Sequence, residues 1–264
     1  MSSAAAVFGT YEWAHKTANC MEGCRHACLY CYAKALAVRF GRRTPEEWSV
    51  EVAKPALLAK AFCGRPCRVM FPSAHDITSA NLLNCLLAMD AMINYGHSLL
   101  IVSKPHVDCI EAICDAFVDN RDRILFRFTI GSSSDEVLSF WEPNAPPFME
   151  RLDSLCLAHE RGFGTSVSCE PMLDDNVEAV VQATLPFVTD AIWIGKANLL
   201  RARIKINGAG IDAIRRGDTL VASQNDARIR DLYLKYRDNP KIKWKESIKK
   251  VVGIDVPKQA GLDV

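Results

Sequence analysis

The chain has 264 residues, 49% of them hydrophobic, with 32 Lys+Arg against 31 Asp+Glu, which excludes disorder and suits a single large α/β unit with a sizeable core. No apolar run is long enough to cross a bilayer and no basic-then-apolar leader opens the chain, so no membrane association and a cytoplasmic location are expected. Eleven cysteines in such a chain imply a reducing compartment, where thiols serve as metal ligands or small core residues.

In chain order, a short strand is expected to lead into the run 19–32, where Cys24, Cys28 and Cys31 stand in the order CxxxCxxC with Tyr30 just before the last. Three thiolates on one short loop can hold three irons of a [4Fe-4S] cluster and leave the fourth iron open to a small molecule, which points to catalysis. Cys20 keeps a second reading open, in which Cys20, Cys24, Cys28 and Cys31 bind zinc. Structural zinc sites usually pair two knuckles across a longer loop, whereas these four thiols crowd into twelve residues.

A helix is predicted over 33–40, ending at Gly41. Thr44-Pro45-Glu46-Glu47 reads as an N-cap, a first-turn proline and a capping-box glutamate, so a second helix is predicted there, interrupted at Pro55. From Arg68 onward short β-branched runs alternate with helical patterns, the signature of βαβ units. The predicted strands are 68–71, 98–103, 124–130, 165–169 and 191–194, with helices near 80–94, 107–118, 148–161 and 176–186. With the strand before Cys20 this makes six βα units, a partial TIM-like (β/α)6 barrel over 1–200. Residues 201–264 are expected to form a small, basic, helical extension packed on the same domain, joined through 198–210. The first 200 residues carry 17 Lys+Arg and 23 Asp+Glu, the remainder 15 and 8. In Lys235–Lys245 cations alternate with aromatics, a mixture that tracks phosphates and stacks bases and equally one that snorkels along a half-buried surface.

Ligands of barrels and doubly wound sheets sit at the C-terminal strand ends. Polar residues gather there: Ser73, His75, Asp76, Ser103, Lys104, His106, Thr129, Ser132, Glu170, Lys196 and Asn198. His75, Asp76 and His106 read either as substrate-binding or proton-transfer groups, with His75 and Asp76 the catalytic candidates, or as turn caps. Cys169 reads as a hydrogen-atom donor or as a core residue, since strand alternation puts it on the face opposite Glu170. Cys63 and Cys67 have no further ligand group at matching spacing, and Cys85, Cys109, Cys114 and Cys156 fall within helical patterns as core.

The cluster loop ending Cys28-Leu-Tyr-Cys-Tyr32, Ser103-Lys104 after the third strand, and Glu142-Pro-Asn-Ala-Pro-Pro-Phe-Met-Glu-Arg-Leu152 together resemble the spore photoproduct lyase group of radical S-adenosylmethionine (SAM) enzymes, over about residues 17–175. The resemblance implies a partial barrel of the radical SAM type, a [4Fe-4S] cluster on Cys24, Cys28 and Cys31, and SAM chelated at the open iron. It further implies reductive cleavage of SAM to a 5′-deoxyadenosyl radical that abstracts hydrogen from a substrate, fed by an electron donor such as flavodoxin or ferredoxin. Tyr30 and Tyr32 would lie beside the cluster and the adenosine, Lys104 near the SAM carboxylate and ribose, and Ser73, Ser103, Thr129 and Ser132 in the same cofactor site. Glu142 and Arg151 look structural. Ser73 stands where that group carries the cysteine that returns a hydrogen atom, and an O–H bond is a far poorer donor, so a different reaction is expected. The second half, with Ser168-Cys-Glu-Pro-Met-Leu173 and Ile192-Trp-Ile-Gly-Lys196, also resembles a less-characterised radical SAM group of phages and bacteria. From their positions at strand ends, Glu170 is expected to bind ribose hydroxyls or substrate, and Lys196 and Asn198 to face the open side of the mouth. The resemblance favours a nucleic acid (DNA or RNA) or nucleotide substrate. The alternatives are a peptide or small metabolite, or a zinc-binding nucleic-acid module without redox chemistry.

Overall fold

The β-branched runs become strands of one sheet because both of their faces find apolar cover. The computed structural model describes residues 9–261, and its strands are β1 (Lys16–Thr17), β2 (Met21–Glu22), β3 (Val52–Ala53), β4 (Arg68–Phe71), β5 (Ser98–Ser103), β6 (Ile124–Thr129), β7 (Gly164–Cys169), β8 (Ile192–Ile194) and β9 (Ile242–Trp244). Seven of them form a parallel sheet in the order β1-β4-β5-β6-β7-β8-β9, while β2 and β3 make a separate antiparallel ribbon. The helices are α1 (Tyr32–Arg39), α2 (Leu82–Asn94), α3 (Val107–Ala116), α4 (Asp135–Trp141), α5 (Phe148–Glu160), α6 (Val177–Thr184), α7 (Leu200–Ile206), α8 (Ile211–Ser223), α9 (Asp226–Tyr236) and α10 (Glu246–Val252). No helix among the described residues is long and apolar enough to cross a membrane.

Strand alternation sorts the core into two layers. Phe71, Ile101, Phe126, Phe128, Val167, Cys169, Ile192 and Ile194 point outward and pack on Met89, Ile110, Ile113, Leu155, Val180 and their neighbours from α2, α3, α5 and α6. Each such side chain, when fully buried, contributes about 1.5–3 kcal/mol. The inner face carries Met70, Leu100 and Trp193, covered by Trp13 and Ala14 from the segment before β1. Arg127, also on this inner face and 0% exposed, lies between Trp13 and Trp193 at 4.8 and 5.3 Å and bonds Ser166 and Asp190, each at 2.9 Å. A cation is tolerated there because its donors are paired and its faces stacked.

Three features depart from the sequence expectation. The capping box at Thr44 does form, with Thr44 N–H donating to Glu47 at 3.0 Å and Glu47 N–H to Thr44 at 3.3 Å. It opens only a single 3-10 turn over Glu47–Ser49, because β3 is drawn into pairing with β2 directly afterwards. The extension after residue 200 is not wholly helical: it supplies β9, so the sheet has seven strands among the described residues and not six. Helix α4 is the third, capped by the Ser134 hydroxyl accepting from Val137 N–H at 3.4 Å.

Candidate functional site

Between β1 and α1 the chain forms the loop that carries the cysteines, pinned from several sides. Gly23 sits at φ +95°, where an added Cβ would run into the Val50 carbonyl oxygen and lie 2.9 Å from that of Trp48; only glycine fits such a turn. Cys24 N–H donates to the Trp48 carbonyl at 2.8 Å, Lys54 N–H to the Cys20 carbonyl at 2.8 Å and Leu29 N–H to the Trp141 carbonyl at 2.9 Å. From α7's C-terminal end, the Asn207 amide donates to the carbonyls of Leu29 and Cys31 at 2.9 and 3.0 Å. Cys31 caps α1, its Sγ accepting from Lys34 N–H at 3.4 Å.

The three thiols lie in a dry setting: Cys24 and Cys28 are buried and Cys31 half-buried. Burial pushes all three up from the ordinary thiol range, so a bound metal is needed to hold them as thiolates. Cys20 turns the other way, its Sγ 3.7 Å from that of Cys85 and 3.8 Å from His75 Nε2, within the outer core. A loop presenting three thiols, with its fourth cysteine turned into the core, has a donor set suited to a cubane with one uncoordinated corner.

Asp76, from the loop after β4, stands under this loop, 3.8 Å from Cys24 Sγ. Its Oδ1 accepts from Lys104 N–H at 2.9 Å and from the Ser103 hydroxyl at 3.2 Å, while its Oδ2 lies 2.9 Å from His26 Nδ1 and 3.4 Å from Lys104 Nζ. Burial would raise the Asp76 carboxyl, but Lys104 and His26 outweigh it and hold the group well below the usual carboxylate range. The converse holds for Lys104, where burial pulls down and Asp76, then Cys28 and Tyr30, lift it above the usual lysine range. His26 continues outward, its Nε2 3.0 Å from that of His106, whose Nδ1 lies 3.1 Å from Glu150. Cys24, His26 and Asp76 are also the group whose possible metal-ligating atoms fall within 4.8 Å of one another among the described residues.

On the opposite wall the Tyr30 hydroxyl donates to Glu142, which pairs with Arg151 at 2.6 Å. Arg151 in turn donates to the carbonyls of Pro146 and Thr129 at 2.8 and 3.1 Å. Glu142 and Arg151 are both 0% exposed, so this pair fixes the end of β6 to the loop before α5. Lys104 Nζ lies 5.9 Å from the Tyr30 ring centre, a cation–π contact spanning the two walls.

The remaining sequence candidates divide. Tyr32 donates its hydroxyl to the Ser73 carbonyl, and Ser73 is itself clamped by the Asn19 amide, which both donates to its hydroxyl and accepts from its N–H at 2.9 Å. Ser103 is spent on Asp76 and Ile77 N–H, and Ser132 on Asp174 and Ser134 N–H. Thr129 is half-buried at its strand end and lends its carbonyl to Arg151. Glu170 is paired with Lys245 at 3.3 Å, and that lysine also meets Glu12 at 2.8 Å. Gly195 leaves room for this pair, since a Cβ there would fall 2.9 Å from both Glu170 Cγ and Lys245 Cγ. His75 and Cys169 do not join the cluster loop: His75 is held by the Asp76 carbonyl and reaches Cys20 behind the loop, and Cys169 is 0% exposed in the outer core. Lys196 lies 3.9 Å from Asp226. The sequence reading missed His26, Asn19, Asn207, Lys245 and Arg203. For Arg203 and Asn207 a signal was available, because Leu200, Arg203, Ile204 and Asn207 repeat at helical spacing.

No family model matches the chain. A relative, the uncharacterized protein ORF301 of Acidianus two-tailed virus, is 26% identical over 166 residues, 58% of this chain and 54% of that protein, so the chain spans about half the length of the curated relative it matches. Among solved structures, a spore photoproduct lyase variant with bound AdoMet and dinucleoside spore photoproduct superposes with a TM-score of 0.60 at 13% identity, over 90% of this chain and 78% of that one. Streptococcus suis SuiB bound to S-adenosylmethionine follows at 0.54 and 9% identity, over 94% and 54%, and its complex with precursor peptide SuiA at 0.52 and 10%, over the same shares. At these identities the likeness is one of fold: the chain has the radical SAM type of partial barrel.

Proposed function

We propose that the chain is a radical SAM enzyme that acts on a nucleic acid or nucleotide. The observation that carries this is the placement of three thiols, two buried and one half-buried, without a fourth, on one loop at the C-terminal mouth of a barrel shared with spore photoproduct lyase and SuiB. Cys24, Cys28 and Cys31 would hold a [4Fe-4S] cluster and SAM would complete it. When bound there, the cluster would supply the electron that splits SAM into methionine and a 5′-deoxyadenosyl radical able to take hydrogen from a substrate.

The chain's own residues bind, orient and exclude water. Lys104, fixed by Asp76 and by the Tyr30 ring, puts a cation beside Cys28 that offsets thiolate charge and can pair with the SAM carboxylate. Tyr30, Leu138, Trp141, Leu173 and Leu200 form an apolar wall around Cys28 that keeps solvent from a reactive intermediate. Asn19 and Tyr32 hold the segment at Ser73 against the loop. Ser73 offers no thiol, so a hydrogen atom returned to product must come from elsewhere, such as re-formed 5′-deoxyadenosine.

The nucleotide reading rests on the dinucleoside ligand of the spore photoproduct lyase structures. The SuiA complex of SuiB supports the rival peptide reading. Anaerobically purified protein is expected to be brown and to carry roughly four irons, and deoxyadenosine release is expected to rise on adding single-stranded DNA or RNA. A colourless protein with stoichiometric zinc contradicts the enzyme reading; stimulation by peptides but not by nucleic acid contradicts the substrate class.

A further inference from the structure

Helix α7 presents one stripe to the cluster loop, formed by Leu200, Arg203, Ile204 and Asn207, at the spacing of a single helix face. Leu200 and Ile204 are 2% and 0% exposed and pack with Cys28 and Tyr30, and Asn207 bonds the carbonyls of Leu29 and Cys31. Arg203, one turn before Asn207, is half-buried on that same face. Among the described residues its guanidinium makes no hydrogen bond or ion pair, and it feels Glu170, Cys31 and Tyr32 only through space. Three other charged groups near the mouth are engaged: Lys104 by Asp76, Glu142 by Arg151, and Glu170 by Lys245.

We propose that Arg203 is a specificity-determining residue that binds a phosphate of the substrate at the mouth, with Glu170 beside it accepting from sugar hydroxyls. This rests on the radical SAM reading and names the substrate group that the mouth selects. A half-desolvated guanidinium left without a protein partner gains most from a fork-shaped contact to an oxyanion. A carboxylate already in contact with Lys245 suits neutral hydroxyls. A nucleotide unit carries both groups at short separation.

The test is binding of two single-stranded octamers of one mixed sequence, a phosphodiester DNA and its uncharged methylphosphonate analogue, to anaerobically purified protein with SAM present. Wild-type protein is expected to prefer the phosphodiester. R203Q is expected to weaken that octamer roughly 10- to 100-fold, the worth of a charged hydrogen bond, to leave the analogue unchanged, and to reduce the salt slope by about 0.7. R203K, which keeps charge without the fork, is expected to fall between. R230Q removes one charge from the outer surface of α9, where Arg230 lies 3.8 Å from Asp226, and is expected to bind as wild type does. Equal loss of both octamers in R203Q, no loss of either, or loss of SAM binding alone would overturn the assignment. Deoxyadenosine release by wild-type protein is scored separately, so a protein that cleaves SAM yet ignores the phosphodiester defeats the Arg203 assignment and leaves the enzyme reading standing.

Discussion

The cysteine loop and the Lys235–Lys245 run are the two segments whose residue types announce chemistry most loudly, and the fold treats them in opposite ways. The loop collects its thiols at the mouth and surrounds them with buried polar partners. The run is absorbed into the scaffold: Lys241 donates to the Val188 carbonyl at 2.6 Å, Lys245 is buried between Glu12 and Glu170, and Trp244 packs on Tyr233. Lys235 lies 3.6 Å from Glu178, and Lys243 lies 5.7 Å from the Trp193 ring. A motif confined to one loop keeps its meaning wherever that loop is placed. An alternating pattern takes its meaning from the sheet position it occupies, because strand parity decides which cations face solvent.

That contrast is most easily broken at Cys28. C28S is expected to retain iron at background level and to release no deoxyadenosine, while its far-ultraviolet circular dichroism stays that of the wild type. Next come the buried ion pairs. R151M leaves Glu142 unpaired on the cluster side and K245M leaves Glu12 and Glu170 unpaired on the C-terminal side, and each is expected to lose about 3–5 kcal/mol in urea unfolding of the apoprotein. If Lys245 instead belonged to a phosphate-tracking surface, K245M would lower nucleic-acid affinity and leave stability alone. G23A is expected to cost about 1–3 kcal/mol and to impair cluster retention, through strain at a positive φ.

Acid titration sharpens the site side. Asp76 is held below its unfolded value, so the stability it supplies is complete above about pH 3.9 and is lost as pH falls toward its folded value. D76N is therefore expected to flatten the acid limb of a melting-temperature profile below about pH 4. The smallest effect belongs to K235Q, at an exposed lysine on α9, with stability unchanged within about 0.5 kcal/mol.

Much of the barrel was legible because βαβ units write themselves in a two-residue and a 3.6-residue period. Strands β4 to β8 and helices α2, α3, α5 and α6 fall within a few residues of their predicted spans. Strand β9 was not legible: Ile-Lys-Trp is too short to carry a period, and it is a strand only because β8 offers it an edge. The helix expected at Thr44 failed for a like reason, since a local cap was outweighed by the β2–β3 pairing. At the site, the thiols and Lys104 could be read locally. Asp76 and His106 were read as candidates, but their joining through His26 could not be, because they lie 50 and 80 residues from it along the chain and meet it only through strand order.

The most direct measurement is deoxyadenosine release from SAM by the anaerobically reconstituted, chemically reduced protein, with C28S prepared in parallel. Formation of 5′-deoxyadenosine and methionine by the wild-type chain and by no preparation of C28S is the predicted result. Intact SAM after reduction of a wild-type protein shown to hold its full complement of iron would contradict the account.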